Sequence, residues 1–206
     1  MENIFKNSKE NIERASQIIK DGGVVAIPTD TLYGLSANAF DAEAIEKIYQ
    51  IKRRPHDKPM IILISKISDI KGLAVYDERL EKLAKKFWPG PLTILLNRNP
   101  NDHKLDGACA GSNKVTFRMP DCKIDLDIIK KAGCPIVSTT ANISGQDNPQ
   151  SAPEVWAQLK DSVEFILDDG RSPQTQPSTI IDLTTPDYWR LLRAGVITEQ
   201  QIRDVI

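Results

Sequence analysis

Short apolar runs spaced by amphipathic segments constrain this chain more than any other feature of its sequence. "VVAI" (24–27), "MIILI" (60–64) and "PIVSTT" (135–140) are too short for helices and carry the β-branched residues of buried strands. "LTILLN" (92–97), "KVTFR" (114–118), "EFIL", "STIIDL" and "YWRLLR" read as further strands, some of them alternating polar with apolar. Helical patterns separate them. Ser8 can cap a helix to about Lys20, with Ile12, Ala15, Ile18 and Ile19 facing inward and Gly22 at its end. Asp41 starts a second, with Ile45, Ile48 and Tyr49 inward, ending near Arg54–Pro55. Asp77 precedes a third, through Trp88, and residues 124–132 form a fourth, closed by Gly133. Ser151 with Glu154, and Thr198 with Gln201, are capping-box pairs for two more. Continuous runs suit strands buried on both faces, whereas alternating runs suit strands with one polar face. The mixture predicts the α/β class, with a twisted mixed parallel and antiparallel sheet flanked by helices.

No linker rich in glycine, serine or proline divides the 206 residues, so one domain spanning 1–206 is expected. The net charge of -1 provides no global field for nucleic acid or an acidic membrane, so an anion site must come from local clustering. Three cysteines, Cys109, Cys122 and Cys134, with no CxxC pair, argue against a disulfide framework or a structural zinc site. Reduced thiols, no leader and no membrane-spanning run lead us to expect a cytoplasmic protein with no membrane partner.

The densest positive cluster is "KIYQIKRRPHDK" (47–58). It suits a helix C-terminus, where the dipole favours cations, and equally a phosphate site, since a guanidinium fork matches phosphate oxygens. "STTANISG" (138–145) places Ser138, Thr139, Thr140, Asn142 and Ser144 at a strand's C-terminal end. It reads either as a polar turn or as a ligand loop. Arg118 and Arg193 each end a strand beside a turn, which fits ion pairs or convergence on a polyphosphate. "AIPTDTLYGL" (26–35) offers Thr31 as a polar ligand, Asp30 as a turn cap, and Tyr33–Gly34 as packing or as a wall. There is no GxxxxGK[ST] and no GxGxxG, and neither His56 nor His103 sits in a triad or HExxH spacing. Residues 98–113, with Pro100, Gly107 and Gly111 and few apolar side chains, read either as an ordered loop or as a mobile lid.

Seven pieces in order, "VVAIPTDTLYGLSANAF", "IKRRPHDKPMIILI", "FWPGPLTILL", "VTFRMPD", "PIVSTTANISG", "STIIDLT" and "WRLLRAGVIT", resemble the YrdC family of L-threonylcarbamoyladenylate synthases, over about residues 22–198. The resemblance implies an open α/β fold with a central cavity, in the short, single-domain form. It also implies a reaction: L-threonine, bicarbonate and ATP, with Mg2+, yield threonylcarbamoyl-AMP and pyrophosphate. The product would pass to threonylcarbamoyl transferase proteins that modify adenosine 37 of tRNA, with a weak tRNA contact here. Such chemistry needs no protein nucleophile; it needs positioning and charge at phosphorus.

By resemblance, the family's KxR motif falls on Lys52 and Arg54 as the catalytic pair. Its SxN partner falls on Thr140 and Asn142, with threonine in place of serine. Arg54, Lys58, Lys114, Thr140, Asn142, Asn148 and Arg193 would line ATP. Thr31, Arg118, Ser138 and Ser178 would hold threonine, Arg118 pairing its carboxylate. Two positions depart from the pattern. Leu63 stands where some members have a histidine near threonine, and Arg53 where glycine is common. The competing readings are an RNA-binding module of the same fold, with 47–58 tracking phosphates, and a YrdC-like paralogue lacking the activity.

Overall fold

The computed structural model describes residues 2–173 and 176–206. Among these residues, ten strands form one sheet. In chain order they are β1 (Ile4–Lys6), β2 (Val25–Ile27), β3 (Gly34–Asn38), β4 (Ile61–Leu63), β5 (Leu92–Asn97), β6 (Lys114–Arg118), β7 (Ile136–Thr140), β8 (Phe165–Asp168), β9 (Thr179–Asp182) and β10 (Arg190–Arg193). Their spatial order is β1-β8-β2-β3-β7-β4-β6-β5-β9-β10. β1 with β8, β8 with β2, β4 with β6 and β5 with β9 run parallel. The other neighbours run antiparallel, so the sheet is mixed as expected.

The helices are α1 (Lys9–Lys20), α2 (Ala42–Lys52), α3 (Glu78–Phe87), α4 (Asp106–Cys109), α5 (Lys123–Ala132), α6 (Ala152–Leu159) and α7 (Glu199–Arg203). Local chemistry sets their starts. Ser8 Oγ accepts the amide of Asn11 at 3.1 Å, and Asp41 accepts those of Glu43 and Ala44 at 3.0 Å. The Thr198–Gln201 capping box forms. The expected box at α6 does not: Ser151 makes no cap bond, and Glu154 accepts the amide of Gln150 and pairs with Arg171 instead.

Neighbouring residues of a strand point to opposite faces, and this divides the core in two. On one face α1 and α5 cover Val25, Ile27, Leu63, Ile136, Phe165 and Leu167. On the other, Ala26, Leu35, Ile62, Phe117, Val137 and Ile181 meet side chains of α2, α3 and α6. α1 and α5 pack over the part of their face from β8 through β2, β3 and β7 to β4. Beyond β4, on that same side, the residues between the core positions of β6, β5, β9 and β10 border an open cavity. The alternation in "KVTFR" has this cause: Val115 and Phe117 are buried in the core, while Thr116 and Arg118 face the cavity.

Two strands escape the sequence reading. β1 is a short edge, and β3 lies within "GLSAN", whose small residues carry no obvious strand period. β3 forms because β2 and β7 pair with both of its edges. Residues 98–113, open in sequence between an ordered loop and a mobile lid, are held by side-chain contacts. Arg98 Nε donates to Asp102 at 3.1 Å and its Nη2 pairs with Asp106, Leu105 is wholly buried, and α4 sits against α2. None of these residues lines the cavity.

Candidate functional site

The cavity has a volume of about 880 Å³ and draws its walls from most of the chain. Into it β6 delivers Arg118, which is 5% exposed. Its Nη1 donates to Thr31 Oγ1 at 3.1 Å, its Nε donates to Gly90 O at 3.2 Å, and its Nη2 pairs with Asp30. The loop after β2 holds this shape through Thr29. That hydroxyl accepts the Thr31 amide at 3.0 Å and donates to Leu32 O at 2.8 Å. The turn cap is therefore Thr29, and Asp30 serves as the partner of Arg118. Ser138, on β7, lines the same cavity beside Gly34. A Cβ on Gly34 would lie 2.6 Å from Ser138 Oγ, so a glycine keeps that hydroxyl clear. Leu63 lines the cavity in register with Arg118 and offers no proton acceptor. Tyr33 combines both of its readings: it borders the cavity while its hydroxyl donates to Gly170 O at 2.7 Å.

The same cavity is lined by Arg54, Lys58, Thr140 and Arg193. Arg54 is steered by its own loop, its Nη2 donating to Pro59 O at 3.0 Å. Tyr49 pins that loop, since its hydroxyl donates to Lys58 O at 2.8 Å and its ring stacks on His56 at 4.8 Å. Arg193 grips Ser178, with Nη2 2.8 Å from its carbonyl and 3.0 Å from its hydroxyl. That hydroxyl also lies 2.7 Å from Thr93 Oγ1. Burial lowers the pKa of both Arg54 and Arg193, and for Arg193 the positive charge of Arg118 adds to the effect. A guanidinium remains charged through such shifts. With Arg118 paired to Asp30, the half-buried Arg54 and Arg193, together with Lys58, give the cavity lining its positive charge.

Lys52 and Asn142 stand behind this wall, not in it. Lys52 is 1% exposed. Its Nζ donates to Asn142 O at 2.8 Å, to Asn142 Oδ1 at 3.0 Å and to Thr140 O. Thr140 Oγ1 donates to Asn142 Oδ1 at 2.6 Å, and Asn142 Nδ2 to Gln146 O at 2.7 Å. The hydroxyl that threonine retains in the SxN position makes this bond, and its added methyl is accommodated. Burial first, then the charge of Arg54, lowers the Lys52 pKa to about 7.

The basic run 47–58 is thus split up by the fold. Lys47 donates to Gly22 O, Lys52 is buried, Arg54 and Lys58 enter the cavity, and His56 pairs with Glu46 at 2.9 Å. Arg53 caps α2 in the left-handed conformation, at φ 50°, which explains why glycine suits that position. Lys114 and Asn148 do not line the cavity. Lys114 Nζ lies 3.5 Å from Asp182 Oδ2, and Asn148 is exposed. Among the described residues no group of three or more histidine, cysteine, aspartate or glutamate side chains converges. This donor set does not fit a resident magnesium ion, and the ion would come with a nucleotide's own phosphates. No helix among the described residues is long and apolar enough to cross a membrane. Sequence reasoning missed the roles of Thr29 and Asp30: Thr29 holds its own loop through Thr31 and Leu32, a local Thr turn that could have been read, whereas the partner of Asp30 lies 88 positions away.

The Sua5/YciO/YrdC family model, described as "Telomere recombination", matches residues 17–195. The chain is 39% identical over 196 residues to the threonylcarbamoyl-AMP synthase of Bacillus subtilis, covering 95% of this chain and 56% of that protein. It is 34% identical over 196 residues to a putative threonylcarbamoyl-AMP synthase of Methanocaldococcus jannaschii, covering 94% and 90% respectively. The crystal structure of Pyrococcus abyssi Sua5 complexed with L-threonine matches with a TM-score of 0.92 and 38% identity, over 98% of this chain and 60% of that one. The chain thus spans less than two thirds of the Bacillus and Pyrococcus proteins.

Proposed function

The chain belongs to the Sua5/YciO/YrdC family, and from that premise we propose that it is an L-threonylcarbamoyladenylate synthase, a nucleotidyltransferase built as one YrdC-like domain over 1–206. In this reading the amine of L-threonine takes up bicarbonate as an N-carboxylate. That carboxylate attacks the α-phosphate of ATP, giving threonylcarbamoyl-AMP and pyrophosphate. The mixed anhydride serves cytoplasmic transferases that modify adenosine 37 of tRNA.

One observation carries the proposal: cations from three distant parts of the sequence, Arg54, Arg118 and Arg193, meet around a single cavity with hydroxyls opposite them. Arg118, Thr31, Ser138 and Ser178 suit a small zwitterion with a hydroxyl, because they combine one fixed guanidinium with three hydroxyls. Arg54, Lys58, Thr140 and Arg193 suit a polyphosphate. Lys52 and Asn142 support catalysis by fixing Thr140, and Lys114 and Asn148 take a peripheral part in nucleotide binding. Half-enclosed walls would also shield a carbamate and an anhydride from water. The RNA-binding alternative is weakened, since Lys52 of the basic run is buried and Arg54 and Lys58 line the cavity.

Purified protein should release pyrophosphate from ATP only when L-threonine and bicarbonate are both present. Release equal to a threonine-free control would overturn the reading.

A further inference from the structure

The wall behind Arg118 contains acidic groups that the proposed reaction does not use. Asp125, in the first turn of α5, is 0% exposed, and neither of its carboxylate oxygens has a hydrogen-bond partner among the described residues. Asp30 Oδ2 is likewise buried and unpartnered. Asp30 comes from the loop after β2, Arg118 from β6, and Asp125 with Cys122 from α5. Cys122 ties α5 to that loop, its thiol 3.7 Å from Pro28 O. These are the charged and titratable groups that face Asp125 from the elements packed on it. Among the described residues, Arg118 is the one cation set against these two carboxyls, and its Asp30 pair already uses it.

Two ionised carboxylates beside one guanidinium, away from water, would leave a buried net negative charge. We propose that Asp125 is a positioning residue for the amino-acid site. Held as a neutral carboxylic acid behind the Arg118–Asp30 pair, it leaves Arg118 with a single carboxylate partner and therefore still attractive to the carboxylate of an incoming amino acid. Burial and the negative charge of Asp30 raise the Asp125 pKa well above its usual value, in keeping with this arrangement. Ionisation of Asp125 adds a second negative charge behind Arg118 and repels the ligand. The amino-acid site is therefore linked to proton occupancy at a residue that does not touch the ligand.

The inference rests on the synthase reading, and its test separates the two. Calorimetry of L-threonine binding is run from pH 6.5 to 9.5 on the wild-type protein and on Asp125→Asn, which cannot ionise. The ratio of wild-type to variant Kd should rise by about fivefold or more across that range. Titration of threonine's own amine and of Lys52 occurs in both proteins and cancels in the ratio. Cys122, its thiol pushed up to about 12 by burial, stays protonated throughout. A second measurement needs only the wild-type protein: the 13C signal of the Asp125 carboxyl should sit at the protonated position at pH 7 and move on alkaline titration. Superimposed Kd profiles, or an ionised Asp125 at pH 7, overturn the inference alone. Absence of threonine binding by either protein overturns the synthase reading and the inference with it.

Discussion

Lys52 shows how far a motif residue can differ from the role its spacing suggests. Its ammonium sits under the cavity wall, held by two carbonyls and one amide oxygen. Lys52→Ala leaves Asn142 O without a donor and removes one of two donors from Thr140 O and Asn142 Oδ1, and should lower stability by about 2–4 kcal/mol, measured by denaturant unfolding. The same burial fixes a pH dependence. Between about 7, its folded pKa, and 10.5, its ordinary value, the unfolded chain holds the proton more tightly than the native protein does. Raising pH through that window therefore stabilises the fold, and lowering it removes that contribution. The Tm difference between wild type and Lys52→Met should shift in favour of wild type from pH 7 to pH 10; a constant difference would refute the linkage. Arg54, which does face the cavity, should behave differently. Arg54→Ala should leave the fold intact and cost about 2–4 kcal/mol in transition-state stabilisation, read from kcat/KM for ATP. The KxR and SxN spacings were visible in the sequence only through family resemblance. The helical period does place Lys52 on the inward face with Ile45, Ile48 and Tyr49, whereas Arg54, beyond the end of α2, carries no such signal. Asp30 and Arg118, separated by 88 positions, could not be paired from the sequence at all.

At the scale of elements, the continuous apolar runs were the most legible feature, because burial on both faces leaves an unambiguous composition. β5 and β6 match the expected bounds, 92–97 and 114–118. β3 was not legible, since its strand character comes from pairing on both edges, and its small residues permit close approach without a periodic signal. Gly34 is the clearest case. Gly34→Ala would place a Cβ against Ser138 Oγ, and should cost about 1–3 kcal/mol and weaken threonine binding together. The C-terminus of α2 offers a test of opposite sign. Arg53 holds a left-handed conformation that penalises any side chain. Arg53→Gly should stabilise the protein by about 0.5–1 kcal/mol, the relief of strain exceeding the added freedom of the unfolded chain. Thermal unfolding checks this, and a lower Tm would contradict it.

For the molecule as a whole, function follows from incomplete coverage of one sheet face. α1 and α5 close the part from β8 through β2, β3 and β7 to β4, and the uncovered part is floored by alternating residues of β6, β5, β9 and β10. A net charge of -1 conceals a local field, because the fold gathers Arg54, Arg118 and Arg193 into one cavity while other charges disperse over the surface. Composition therefore excluded a general polyanion binder but could not reveal a specific anion site. The central claim is that this gathering creates a site for an amino-acid carboxylate beside a nucleotide. Calorimetry of L-threonine binding in the presence of an ATP analogue, on wild type and Arg118→Ala, tests it most directly. The account predicts one threonine per wild-type chain and an affinity weakened by about a hundredfold in the variant, as expected for losing a desolvated charge partner. Equal affinity in the two proteins would contradict it.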